Sequence, residues 1–301
     1  MDTVKFAFAL SEEEVLERQK KIEKLKKTQP VRKFLHDNHL DEAFLERNSG
    51  FFSNWVEVLG KCRGCKSKSM CRQPIKGKFR NISLDENGYL IETYTSCKYE
   101  REEEKKLEHT RNFLIKHGDS SDFLIDINAI TLTGESDNYI DAYTALLDSF
   151  EQEKGVYLYG QPGVGKTYLM HALANAYAKE GKSVAFVKMG QLIDTLKESM
   201  TNSEYRYQLL KKLRRADVLF LDDIGSEFVS AWTRAEILFP ILDERMSHHK
   251  KTYFTSNYTL DELKEQYSTT GEKNASVAGL RMKERVQALA RPVQMLGESR
   301  R

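Results

Sequence analysis

Gly160-Gln161-Pro162-Gly163-Val164-Gly165-Lys166-Thr167 sets glycines, a lysine and a threonine in the order G-x-x-x-x-G-K-[ST]. Glycines let such a loop curl until successive backbone N–H groups point at one spot, where the phosphates of a nucleotide can sit. Lys166 would bring positive charge to the β- and γ-phosphates, and the Thr167 hydroxyl would hold Mg²⁺. The flanks suit this chemistry. Val156-Tyr157-Leu158-Tyr159 is an apolar run of strand type, and Tyr168-Leu169-Met170-His171-Ala172-Leu173-Ala174 starts a helix whose positive dipole end faces the phosphates. Gly160, Gly163, Val164, Gly165, Lys166, Thr167 and Tyr168 are therefore the candidate nucleotide-binding residues.

A second group of reactive side chains lies downstream. Val218-Leu219-Phe220-Leu221-Asp222-Asp223 is a fully apolar strand ending in two carboxylates. A strand apolar on both faces belongs inside a parallel sheet covered by helices, and ligands bind at the carboxyl ends of such strands. Asp222 would hold Mg²⁺ through water, and Asp223 is placed to polarise the water that attacks a γ-phosphate. Alone, Asp-Asp after an apolar run could simply cap a strand; about fifty residues after a phosphate loop it gains meaning. A third strand, Thr252-Tyr253-Phe254-Thr255-Ser256-Asn257, ends in an amide that could orient the attacking water or serve as a strand-to-loop cap. In Gly279-Leu280-Arg281-Met282-Lys283-Glu284-Arg285-Val286, two arginines stand at i, i+4 on one helical face. By itself that is an ordinary solvated helix surface.

These motifs need elements to position them. From about Ser136 the chain reads as a βαβ series: a helix at 141–151, the phosphate-loop strand and helix, a strand at 183–187, and helices at 191–199 and 203–215. Upstream, Ser11-Glu12-Glu13-Glu14 has the S-x-x-E form of a helix start, leading into a highly charged helix to about Lys27, which Pro30 breaks. Short amphipathic pieces follow, ending in Phe51, Phe52, Trp55, Val56 and Leu59, which read as the core of a small helical domain. Residues 82–94 alternate around Asn87-Gly88, a hairpin signal. Glu100 to Lys106 begins a charged connector. The expected organisation is an amino-terminal domain at 1–110, a linker at 111–135 and an α/β domain at 136–301.

Four cysteines, Cys62, Cys65, Cys71 and Cys97, all fall in the amino-terminal third. Cys62-Arg63-Gly64-Cys65 forms a knuckle able to aim two thiolates at one metal, with Cys71 and Cys97 as further corners of a tetrahedron. With no signal peptide or long apolar segment, a reducing cytoplasmic compartment is expected, which disfavours disulfides. Zn²⁺, unconnected thiols and a redox pair are the alternatives. Composition adds that 40% hydrophobic and 31% charged residues describe a soluble globular chain, and a net charge of +2 excludes a generic polyanion binder. Local basic runs, Lys211-Lys212-Leu213-Arg214-Arg215 and His248-His249-Lys250-Lys251, read first as solvated surface. The first lies near Tyr205 and Tyr207, a combination that would suit single-stranded DNA.

The order of motifs resembles the AAA+ ATPases of the initiator and helicase-loader clade, and most closely the bacterial replicative helicase loaders of the DnaC/DnaI type. The stretches 159–167, 221–227, 254–257 and 280–285 carry the resemblance, which covers roughly residues 130–301. It implies an AAA+ P-loop domain with a parallel sheet flanked by helices and no C-terminal lid, beside a small helical and β-hairpin zinc-binding domain. It implies ATP hydrolysis with Asp223, Asn257 (sensor 1) and Arg285 as catalytic residues. Arg285 would be an arginine finger acting on a neighbouring subunit, Arg281 its substitute, and hydrolysis would then require a homo-oligomer. The amino-terminal domain would hold Zn²⁺ and grip a hexameric replicative DNA helicase, while the ATPase domain would bind ATP and single-stranded DNA to load that helicase, with no membrane partner. Family members can use a histidine in the metal site; none lies between Cys65 and Cys97, so Cys71 replaces it, with His109 a weaker candidate. A transposition-associated AAA+ ATPase and an ATP-sensing adaptor without significant turnover are the alternatives. A small-molecule kinase would need an acceptor-binding lid, of which the sequence gives no sign.

Overall fold

The computed structural model describes residues 11–268 and 275–300. The chain divides into two compact units between Lys105 and Lys106.

In the first unit, helix α1 (Glu12–Lys26) opens on the expected capping box: Glu14 N–H donates to Ser11 Oγ, and Ser11 N–H to the Glu14 carboxylate at 2.8 Å. Pro30 sits in the first turn of α2 (Gln29–Asp37), where a missing N–H costs nothing, so it starts one helix as much as it stops another. Helices α3 (Glu42–Arg47) and α4 (Ser49–Lys61) follow. Leu25, Val31, Leu45 and Phe52 close a small core with Ile82 of the hairpin. Phe34 meets Phe52 edge-on at 5.6 Å, and the Trp55 indole N–H donates to Asn81 Oδ1 at 2.8 Å. The aromatic stretch is thus core on one helical face, while Phe51 looks outward.

Strands β1 (Lys78–Leu84) and β2 (Leu90–Ser96) pair antiparallel and extend the alternation read at 82–94. Their connection is a three-residue loop. Gly88 N–H donates to Asp85 O, Asp85 N–H donates to Tyr89 O, and Gly88 takes φ +81°, the geometry of a type I turn with a glycine bulge. Helix α5 (Lys98–Lys106) leads out of the unit.

The second unit begins earlier than the sequence suggests. Residues 111–135 are not a linker: they hold β3 (Phe113–Lys116), an edge strand of the main sheet, and two short 3₁₀ turns, 122–124 and 127–129. The Asn175 side-chain amide fixes this stretch by donating to the carbonyls of Asp122 and Ile125. Four residues carry too little periodicity to announce a strand, and the turns have none.

Beyond it come α6 (Asp137–Asp148), β4 (Gly155–Tyr159), α7 (Lys166–Lys179), β5 (Val184–Lys188), α8 (Met189–Glu198), α9 (Ser203–Arg215) and β6 (Val218–Asp222). Then α10 (Phe239–Ser247), β7 (Lys251–Ser256), α11 (Leu260–Gln266), α12 (Ala275–Leu289) and β8 (Ala290–Gln294) complete it. The six strands are all parallel, in the order β3-β5-β6-β7-β4-β8. Central strands are buried on both faces: Val187, Leu219, Leu221 and Phe254 join one core with α8, α10 and α12, while Phe186, Phe220 and Tyr253 join another with α6 and α7. Helix α6 starts at the Ser136 cap, four residues before the position read from sequence, because Ser136 Oγ accepts the Tyr139 N–H. The fully buried Arg245 collects the carbonyls of Leu213, Ala216 and Lys251 and the Thr252 hydroxyl, tying the end of α9 to β7; burial lowers its guanidinium pKa to about 9.

Candidate nucleotide site

The carboxyl ends of β4, β6 and β7, adjacent in the sheet, bring the sequence motifs to one cleft of about 920 Å³. Gly163, Gly165, Lys166, Thr167 and Tyr168 line it together with Asp222, Asp223 and Asn257. Gly165 holds φ +107°, a left-handed turn that brings the loop round into α7. Gly160 meets a different demand, because a Cβ there would collide with the Met295 carbonyl oxygen. The Val164 side chain turns away into the core, so its contribution to the cleft is backbone.

Lys166 is held in place by the loop it serves. Its Nζ donates to Gly160 O at 2.7 Å, Gln161 O at 2.8 Å and Asn257 Oδ1 at 3.0 Å. The other end of the Asn257 amide donates to Asp223 Oδ1 at 3.1 Å. One amide therefore spans the lysine and the exposed carboxylate, using its acceptor on one and its donor on the other. Asp223 takes φ +63°, and its N–H donates to Thr255 Oγ1 at 2.8 Å.

Asp222 accepts from the Thr167 hydroxyl at 2.9 Å and from the Thr255 hydroxyl at 2.7 Å on the same oxygen. Burial pushes its carboxyl pKa up, against the opposing pull of these two donors; nearby Asp223 pushes in the same direction as burial. Thr167 and Asp222 could together hold Mg²⁺, whose charge would favour the ionised carboxylate. Thr255 was missed by sequence reading. It is the penultimate residue of β7, and its role appears only where β7 lies beside the end of β6 and its hydroxyl meets Asp222.

The arginine pair lies elsewhere. Arg285 Nε and Nη2 donate to the two Asp243 oxygens at 2.6 and 3.1 Å, and its guanidinium lies 4.7 Å from the Phe239 ring centroid. Arg281 covers the same ring at 4.9 Å and is exposed. Neither lines the cleft of its own chain.

All four cysteines border one cavity of about 260 Å³ in the first unit. The Gln73 amide donates to Cys62 Sγ at 3.3 Å, and Gly77 N–H to Cys71 Sγ at 3.4 Å. Among the described residues, no three His, Cys, Asp or Glu side chains stand close enough to hold a metal ion as placed. His109 is committed elsewhere, buried against Asn175 Oδ1 of α7 at 3.4 Å. No helix among the described residues is long and apolar enough to cross a membrane. On α9, Tyr205 and Tyr207 are half-exposed, with Lys211 over the Tyr207 ring; in the second basic run, Lys251 is turned inward onto the carbonyls of Ser149 and Phe150.

Comparison with known proteins bears on this cleft. Residues 101–301 match the family of IstB-like ATP binding proteins. The replicative helicase loader DnaI of Bacillus subtilis is 30% identical over 93% of this chain and 91% of its own length. The replicative helicase loader DnaC of Escherichia coli K12 is 31% identical over 35% of this chain and 42% of its own length. Among solved structures, a DnaI crystal structure superposes with a TM-score of 0.54 at 31% identity, covering 64% of this chain and all of that one. A putative primosome component from Streptococcus pyogenes serotype M3 gives 0.51 at 29% identity, covering 65% of this chain and all of its own.

The geometry around Lys166 generates a direct expectation. Lys166→Ala should weaken ATP binding by roughly a hundredfold or more in calorimetric titration, since it removes the cation that balances the phosphates. Affinity within threefold of the parent would remove Lys166 from the site.

Proposed function

The chain belongs to the family of bacterial replicative helicase loaders with an IstB-like ATP-binding domain, and we propose that it uses ATP to load a hexameric replicative helicase onto DNA in the cytoplasm. The observation that carries this reading is the extent of the likeness to DnaI, which covers 93% of the chain, the cysteine-bearing unit included, whereas the IstB-like match is confined to residues 101–301. A transposition helper would account for the second stretch alone.

In this reading the first unit binds the helicase, and the second binds ATP and single-stranded DNA. The exposed Tyr205, Tyr207 and Lys211 on α9 supply stacking faces and charge for the strand. The γ-phosphate end of ATP lies against Lys166. Mg²⁺, held by Thr167 and through water by Asp222, would neutralise charge on the β- and γ-phosphates. Asp223, oriented by Asn257 and by the Thr255 hydroxyl on its N–H, takes the proton of the attacking water as that oxygen bonds to the γ-phosphorus and ADP leaves. Arg285, fixed by Asp243 and Phe239, serves the cleft of a neighbouring subunit, so turnover depends on assembly. Bound ATP then works as a switch between assembled and released states. Zn²⁺ held by Cys62, Cys65, Cys71 and Cys97 would brace the first unit; the shared cavity and the N–H donors to two sulfurs support that assignment.

Mixing the full-length protein with the host's replicative helicase and circular single-stranded DNA tests the reading. Helicase should co-elute with the circle only when the protein and ATP are both present, and failure to bind the helicase at all would overturn it. Arg285→Ala should leave ATP affinity intact and cut turnover at assembling concentrations by roughly a hundredfold or more, with Arg281→Ala much milder. Weakened ATP affinity in dilute Arg285→Ala would mean that it acts within its own subunit. Elemental analysis of the purified protein should find about one zinc per chain, lost in the Cys62→Ser, Cys65→Ser double variant together with compactness of the first unit. A metal-free parent that still binds helicase would dismiss the zinc assignment.

A further inference from the structure

One part of the cleft is left over by this chemistry. Lys166, Thr167, Asp222, Asp223 and Asn257 are joined by hydrogen bonds where phosphates and Mg²⁺ belong, so the nucleoside must extend beyond them along the cleft. Beyond those five, the cleft is also lined by Ile130, Thr131, Glu135, Tyr139, Tyr168 and Arg300. Arg300 arrives there on residues 295–300, which lie along the outside of the phosphate loop.

This segment is fastened at several points. Met295, fully buried, donates its N–H to Tyr159 O at 2.7 Å, at the end of the strand that feeds the loop. Leu296 N–H donates to Asn138 Oδ1, and Arg300 N–H to Gly163 O at 3.0 Å. Two glycines of the loop make room for it: a Cβ on Gly160 would strike Met295 O, and one on Gly163 would strike the Ser299 hydroxyl. The Arg300 guanidinium then lies over Tyr139, 4.1 Å from the ring centroid, and its two terminal nitrogens pair with the two oxygens of Glu135, one of them at 2.8 Å. Tyr139 is buried beneath it, while the Arg300 side chain keeps 43% of its surface exposed toward the cleft and solvent.

We propose that Arg300 is a nucleotide-contacting residue, whose guanidinium, held over Tyr139 by Glu135, receives the face of the purine base, and that residues 295–300 act as a strap that slows nucleotide release. The inference rests on the cleft being an ATP site. A planar cation already held over one aromatic ring offers its second face at little ordering cost, and a purine supplies a matching π surface. Because the Arg300 backbone also holds the Gly163 carbonyl, the strap ties the nucleoside end of the cleft to the phosphate loop. In this chain, where β8 follows α12 directly, the strap covers the base in cis.

Release of radiolabelled ATP, chased with excess unlabelled ATP, and competition by inorganic tripolyphosphate test this on the full-length protein. In Arg300→Ala, ATP should leave roughly tenfold faster while tripolyphosphate, which has no base, competes as well as before. Glu135→Gln, which loosens the clamp but keeps the guanidinium, should fall between the parent and Arg300→Ala. ATP release within twofold of the parent in Arg300→Ala would overturn the proposal, and so would an equal loss of tripolyphosphate affinity, which would mark the strap as a mere support for the loop. A parent that fails to hold ATP at all would instead remove the ATP-site reading itself.

Discussion

A single carboxylate at the end of a fully buried strand organises the site. Asp222 terminates β6, whose every residue is buried, and one of its oxygens receives hydroxyls from both α7 and β7. An ionised carboxylate in such surroundings is tolerated only where donors or a cation meet it. Thr167 and Thr255 provide the donors, and in doing so they fix the first turn of α7 and the end of β7 relative to β6. The remaining functional groups inherit their positions from that arrangement. Lys166 precedes Thr167, Asp223 follows Asp222, and Asn257 lies two residues beyond Thr255, so three functional side chains are set by one anchor.

Asn257 converts that arrangement into communication. Its amide touches Lys166 on one side and Asp223 on the other, so a phosphate that draws Lys166 away from Asn257 also changes what holds Asp223. A carboxamide suits this position because it is neutral and carries both a donor and an acceptor. An aspartate there could accept from the lysine but would repel Asp223, and an aliphatic residue would leave both groups unlinked.

Much of this was legible in the sequence because the relevant signals are local. The phosphate loop, the apolar run ending in Asp222 and Asp223, and the capping box at Ser11 each specify geometry over a few residues. The hairpin was legible as well, although its turn takes three residues rather than two, since Gly88 supplies a bulge that Asn87-Gly88 alone does not distinguish. What the sequence concealed is long-range. Strand β3 is recognised only by the edge it joins, β8 only by its pairing with β4, and Arg300 only by the Tyr139 and Glu135 it meets more than a hundred and fifty residues away in sequence. Spacing along the chain carries no record of such meetings.

The junction between α12 and β8 has a mechanical meaning. Helix α12 ends at Leu289 and β8 begins at Ala290 with no intervening loop, and β8 runs beside β4 in continuous register from Gly155–Ala290 to Tyr159–Gln294. The helix that displays Arg281 and Arg285 is therefore joined, through β8, to the strand that feeds the phosphate loop. A shift of β4 would reach the arginine-bearing helix through one ladder of backbone hydrogen bonds and one peptide junction.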